Sequence, residues 1–173
     1  MKKIYNYLKI VSQWGAYISY IGISVAVLFT VADICMRNLF KKPIVGSYEI
    51  TQLIFATTVF ATFAFTQTEK GHINVTILLR VLPQKIRFII YTITSILSTV
   101  ACAAVSWAAF VQMNNVRVSN LITAQHKIPY YPFYAFEGVM MALFTVVLLL
   151  DTLQSALAVY SKDYADMIEV NWS

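Results

Sequence analysis

Four long stretches of the chain carry almost no charge, and short polar loops separate them. The stretches are residues 10–32, 50–68, 88–116 and 133–160. The first three contain no Asp, Glu, Lys or Arg, and the fourth contains only Glu137 near one end and Asp151 near the other. A helix needs about 20 apolar residues to cross a hydrocarbon core about 30 Å thick. The pattern therefore predicts an all-α integral membrane protein with four transmembrane helices.

We place these helices at about residues 14–36, 48–68, 86–116 and 133–160, in a single membrane domain that covers residues 1–173. Helix three is too long for a perpendicular span, so it must tilt or project beyond the bilayer. Residues 1–13 have apolar side chains at helical spacing among lysines. Such an amphipathic lead-in either lies in the membrane interface or simply extends helix one.

The segment between helices two and three, residues 72–87, is too short to span the membrane. We expect a short interfacial helix that ends at Pro83, after which Lys85 and Arg87 anchor helix three at the surface. Before helix two, Pro43 and Gly46 are turn residues. Ser47 follows them and is the predicted N-cap.

Two sets of polar or small side chains recur at helical spacing. Asp33 and Arg37 are four residues apart, so they share one side at the end of helix one. In helix three, Ser98, Cys102 and Ser106 repeat every four residues. Because small residues at this spacing allow two helices to approach closely, we predict a packing face there. That face packs either inside this chain or against another subunit.

The composition agrees with a membrane protein and excludes most soluble functions. Hydrophobic residues make up 59% and charged residues 12%, against about 25% charged residues in an average soluble domain. The net charge of +5 lies in the loops. Basic residues beside apolar helices are typically membrane anchors and topology signals, so we expect contacts with membrane lipids and no nucleic-acid partner.

The distribution of lysine and arginine predicts the orientation. With four spans, both termini lie on one side together with eight of the 13 basic residues, and five lie on the other side. The positive-inside rule then places both termini in the cytoplasm. The five on the other side are Arg37, Lys41, Lys42, Arg117 and Lys127. The loop after helix one is unusually basic for an outer loop and is a candidate docking surface for an acidic partner.

The chain lacks the groups that catalysis or a cofactor would need. Its two histidines, His72 and His126, fall in loops on opposite faces. The sequence has no Cys/His cluster with metal spacing and no glycine-rich phosphate loop. We therefore expect no catalytic residue, no cofactor and no metal. Asp33, Glu49, Glu137 and Asp151 all fall near helix ends, so a central transport site is not expected either. Such a chain is typical of a scaffold or accessory subunit.

An ordered set of short motifs resembles a known family. Arg37 ends helix one, and Gly46-Ser47-Tyr48-Glu49-Ile50-Thr51 opens helix two. Gly71-His72-Ile73-Asn74-Val75 and Leu82-Pro83 then precede helix three. The set resembles the small membrane subunit of tripartite ATP-independent periplasmic (TRAP) transporters, including those of sialic acid systems. An acidic residue usual after the His-Ile pair is replaced here by Asn74 or Thr76.

The resemblance implies a bacterial inner-membrane protein with two partners: a large membrane permease subunit and a periplasmic substrate-binding protein. The large subunit carries the substrate and sodium sites and imports organic acids such as sialic acids or C4-dicarboxylates. The small subunit would brace it in the bilayer.

The resemblance also suggests roles for particular residues. Arg37, Asp33 and Glu49 would form an ion-pair cluster at the outer ends of helices one and two, as a lock between them or a solute contact. Lys41 and Lys42 would meet the binding protein or lipid phosphates. His72 would cap the interfacial segment.

Two other functions remain open from the residues alone. One is a membrane anchor subunit of a redox or other enzyme complex, although a haem-binding bundle usually has histidines inside its helices. The other is a small exporter that works as a homodimer, which normally needs a carboxylate in the middle of a span.

Overall fold

The computed structural model describes residues 2–69 and 84–158. Four helices make up this part of the chain: α1 (Lys2–Phe40), α2 (Ser47–Thr68), α3 (Gln84–Val118) and α4 (Tyr131–Ala158). Each is long and apolar enough to cross a membrane, which confirms the predicted all-α membrane fold. The interfacial helix predicted between α2 and α3, with His72, lies outside the described residues.

Helix α1 is longer than predicted. It runs for 39 residues without a break, so the residues expected to form a lead-in are its first turns. At about 1.5 Å per residue, α1 is about 58 Å long, well beyond a hydrocarbon core of about 30 Å. The structure therefore shows that the N-terminal residues extend helix one and do not form a separate interfacial segment. The other helices start within two residues of their predicted positions.

The helices pack as two hairpins, α1 with α2 and α3 with α4, and the hairpins meet where α2 contacts α4. The core lies at this central contact and consists of Ala64, Met141, Phe144 and Leu148. Phe63 of α2 stacks on Phe144 of α4, with ring centroids 5.7 Å apart. The α2–α4 contact therefore holds the two hairpins together through large apolar side chains.

The α1–α2 hairpin is held by small residues. The buried stripe of α1 consists of Ser12, Gly15, Ala16, Ser19 and Ala26. Ser19 Oγ donates a hydrogen bond to the Thr58 carbonyl at 2.7 Å, and a Cβ at Gly15 would collide with the Ala61 carbonyl oxygen. Small side chains let the two backbones approach this closely. The sequence patterns described above do not predict this stripe, although its small residues recur at helical spacing.

The predicted packing face on α3 is partly wrong. Cys102 packs against the core and Ser106 donates to the Gly138 carbonyl at 3.0 Å, but Ser98 is exposed. A strict repeat of four residues rotates around a helix of 3.6 residues per turn, so it leaves the face that it starts on. The buried stripe alternates steps of four and three. Ser95, Thr99, Ser106 and Ala109 are buried, and Cys102 between them is half-buried. The face packs inside this chain, against α4.

Candidate functional site

The two described loops, residues 41–46 and 119–130, lie at one end of the bundle, which we call the loop end. There Asp33 is 7% exposed and joins α1 to the first loop. One carboxylate oxygen accepts from Arg37 Nη2 at 2.9 Å, and the other accepts from the Ile44 amide at 2.8 Å. The Ser47 hydroxyl lies beside the same carboxylate. Asp33 therefore fixes the path of the first loop.

The start of α2 differs from the prediction. Gly46 occupies the N-cap position with φ 72°, and no side chain caps the helix, so the prediction that Ser47 is the N-cap is wrong. The helix already includes Ser47, and its hydroxyl faces Asp33 instead. A Cβ at Gly46 would collide with the His126 ring. Glycine is needed here both for the left-handed backbone and for the close approach of the second loop.

Glu49 joins α2 to the second loop. The Gln125 amide donates to both of its carboxylate oxygens, at 3.1 and 3.2 Å. His126 Nδ1 lies 3.9 Å from one of them, and the Thr123 hydroxyl is adjacent. The prediction that Glu49 joins the Asp33–Arg37 cluster is therefore wrong, because the first turn of α2 directs Glu49 toward the α3–α4 loop. Asp33 and Glu49 each secure one loop.

The second loop has internal bonds of its own. Thr123 is 1% exposed, and its hydroxyl accepts from the Ile128 amide at 3.0 Å. Ile122 and Pro129 form an isolated antiparallel bridge across the loop. Asn120 and Lys127 adopt positive φ, which lets the chain reverse direction within a few residues. The sequence gives no specific signal for Thr123, whose partner depends on the loop conformation.

Basic side chains surround these two carboxylates at the surface. All five basic residues predicted for this end are exposed, and we call them the basic rim: Arg37, Lys41, Lys42, Arg117 and Lys127. Asp33 pairs with Arg37, while Glu49 accepts from the Gln125 amide, so the lysines of the rim and Arg117 present positive charge outward. In the described ranges, no group of three or more His, Cys, Asp or Glu side chains could hold a metal ion.

Comparison with protein families identifies the chain. The family described as "Tripartite ATP-independent periplasmic transporters, DctQ component" matches residues 26–158, which is more than half of the 173 residues. The chain belongs to this family of small TRAP transporter subunits. Comparison with curated proteins and with solved structures finds no match.

The match determines the general function. This small TRAP subunit is a component of a transporter and not an enzyme, and it is a multi-pass protein of the inner membrane. The matched residues include both loops of the loop end, with Asp33, Arg37 and Glu49. Small TRAP subunits work with a large membrane subunit and a periplasmic binding protein. The family assignment favours a transport role over a redox anchor.

The two carboxylates should control separate loops. We expect Glu49→Ala to accelerate hydrogen exchange of residues 119–130 by about 10- to 100-fold, because a bond to a charged acceptor contributes about 1.5–3 kcal/mol. Exchange of residues 41–46 should stay unchanged. Asp33→Ala should give the reverse pattern, so each variant controls the other. Faster exchange of both loops in either variant would contradict the separate roles.

Proposed function

We propose that this chain is the scaffold subunit of a TRAP-type secondary transporter. The transporter imports an organic acid, either a sialic acid or a C4-dicarboxylate, with a sodium gradient and a periplasmic binding protein. The observation that carries this proposal is the packed contact between α2 and α4, where Phe63, Phe144 and their neighbours fill the centre of the bundle. A rigid centre suits a brace for the large subunit, which would carry the solute and ion sites.

We place both termini in the cytoplasm, so the loop end faces the periplasm. The unequal count of basic residues on the two sides supports this orientation. The basic rim then faces the compartment in which the binding protein diffuses. Exposed charges increase the rate at which an oppositely charged partner docks, so the rim suits an acidic surface on that protein.

The large subunit would contact apolar helix faces that this chain does not cover. Among the four described helices, α1 packs mainly on α2 and α3 mainly on α4, while α2 and α4 lie between them. Trp14, Ile21 and Leu28 of α1 and Leu97 and Trp107 of α3 are all more than 60% exposed. In a bilayer, lipid or another subunit must cover such faces. We propose that the large subunit covers one of them within a single membrane domain.

The proposal can be tested by purifying the full chain from its native membrane and identifying the proteins that accompany it. A stoichiometric large polytopic membrane protein is expected. Liposomes that contain both subunits should then take up an organic acid only when the binding protein and an inward sodium gradient are present. Recovery with a redox enzyme, or uptake by this chain alone, would refute the assignment to a scaffold subunit.

The docking role of the rim predicts a charge effect. We expect Lys41→Glu/Lys42→Glu to weaken binding of the binding protein about tenfold and to lower uptake at limiting binding protein, because like charges then face each other. Added salt should reduce the difference. Lys9→Gln, which changes a lysine at the opposite end of α1, is the matched control. Unchanged affinity and uptake in the double variant would exclude these lysines from docking.

A further inference from the structure

A cavity of about 120 Å³ lies between α2 and the first turns of α4, near the loop end. Half of its lining residues are aromatic: Phe60, Tyr130, Phe133, Tyr134 and Phe136. Its polar residues include Gln52 and Glu137. Aromatic rings around a carboxylate form a surface that attracts cations, because the face of each ring is electronegative.

Glu137 is the residue that gives this cavity its charge. It is half-buried and lies almost two turns into α4, within the span predicted to cross the membrane. Among the residues whose side chains the structure describes, no Lys, Arg or His lies within ion-pair distance of Glu137. A carboxylate inside a membrane span is costly without a partner. The cavity therefore favours an ammonium group from outside this chain.

A second cavity, of about 320 Å³, adjoins the first and is apolar. It lies between α1 and α2 and is lined by residues such as Ile18, Ile54 and Ile128. The two cavities share Leu53, Thr57 and Phe133 in their walls. An apolar groove thus runs beside the cation-attracting cavity, and the exposed Lys127 is adjacent to Ile128 in the chain.

We propose that the two cavities together bind one phosphatidylethanolamine molecule. Its primary ammonium group contacts Glu137 and the aromatic rings, and an acyl chain lies in the apolar groove. In this proposal the phosphate meets the exposed Lys127, which is the chain neighbour of the groove residue Ile128. The ammonium group and the apolar chain match the carboxylate-bearing aromatic cavity and the apolar groove. The site is separate from solute transport and goes beyond the proposed scaffold role.

The test uses the complex of the full chain with its large subunit, stripped of lipid in detergent. Phosphatidylethanolamine labelled on its acyl chain is bound, then displaced by unlabelled phosphatidylethanolamine or by phosphatidylglycerol with the same chains. We expect phosphatidylglycerol to compete about tenfold less well, because it lacks the ammonium group. Glu137→Gln preserves the size of the side chain and should reduce this difference to about twofold. Glu69→Gln, which neutralises an exposed carboxylate outside the cavity, should keep it.

Three outcomes would overturn the proposal. Equal competition by the two lipids would show that the headgroup amine is not recognised. A preference that survives Glu137→Gln would place the amine elsewhere. In the third outcome, the unmodified protein shows no lipid preference and the Glu137→Gln complex loses the large subunit. That result would mean that a basic side chain of the large subunit occupies the cavity. Measuring recovery of the large subunit with each variant separates these cases.

Discussion

Gly15→Val should separate α1 from α2. The first side-chain atom would collide with the Ala61 carbonyl and with the Met140 side chain, and the Ala61 carbonyl is backbone that cannot rotate away. Overpacking a well-packed interface costs about 1–3 kcal/mol, and a collision with backbone lies at the upper end of that range or above it. We expect a large loss of folded protein in denaturant titrations in detergent, together with loss of the uptake that depends on the assembled bundle.

Two further variants calibrate this effect. Gly22→Ala meets the Thr58 methyl group at 2.8 Å, a side-chain contact, and should destabilise the protein less than Gly15→Val. Ala32→Val adds volume at an exposed position of the same helix and should leave stability within about 0.5 kcal/mol of the parent. If Gly15→Val were no worse than Ala32→Val, the close approach of α1 and α2 would not contribute to stability.

The second large effect concerns the opposite end of the bundle. There the Gln67 side-chain amide donates to Asp151 at 2.6 Å, and both residues are less than 10% exposed. We expect Gln67→Ala and Asp151→Ala each to cost about 1–3 kcal/mol, because each leaves a buried polar group without this partner. The double variant should cost less than the two single variants added together.

Unfolding of all four proteins in one denaturant series measures this coupling. A coupling energy of at least about 0.6 kcal/mol is expected, which is the average for polar pairs in a membrane protein measured in the same way. Glu69→Gln is the control for this experiment. It removes the exposed ion pair between Lys9 and Glu69, whose charged atoms lie 2.7 Å apart near the same end of α2. Such a surface pair contributes about 0–1 kcal/mol. Additive effects at Gln67 and Asp151 would mean that this hydrogen bond adds no stability.

The fold could be predicted from the sequence because the thickness of a bilayer sets the length of each apolar stretch. Charge and turn residues predicted the starts of α2, α3 and α4 to within two residues. The start of α1 did not, because hydropathy marks where a helix meets the hydrocarbon and not where the helix itself begins. Lys2, Lys3 and Lys9 are polar but remain good helix formers, so they do not interrupt α1.

The contacts at the loop end could be predicted only in part, because some of them join residues that are far apart in the sequence. Asp33 and Arg37 meet because they are four residues apart on one helix, and that contact is local. Glu49 and Gln125 are separated by 76 positions, so their contact depends on how the hairpins pack. The role suggested by the resemblance placed Glu49 in an ion-pair cluster with Arg37. A backbone amide can satisfy a carboxylate equally well, and no pattern of charged residues reveals it.

The two carboxylates of the loop end both hold backbone amides, those of Ile44 and Gln125. Every amino acid except proline supplies such an amide. Apart from positions such as Gly46 and Thr123, the shape of this surface therefore depends little on the side chains in its loops, while its charge depends on exposed lysines and arginines. Substitutions of those exposed residues can thus alter the charge of the surface without a new backbone conformation. That separation leaves the loops free to diverge in evolution while the scaffold beneath them stays the same.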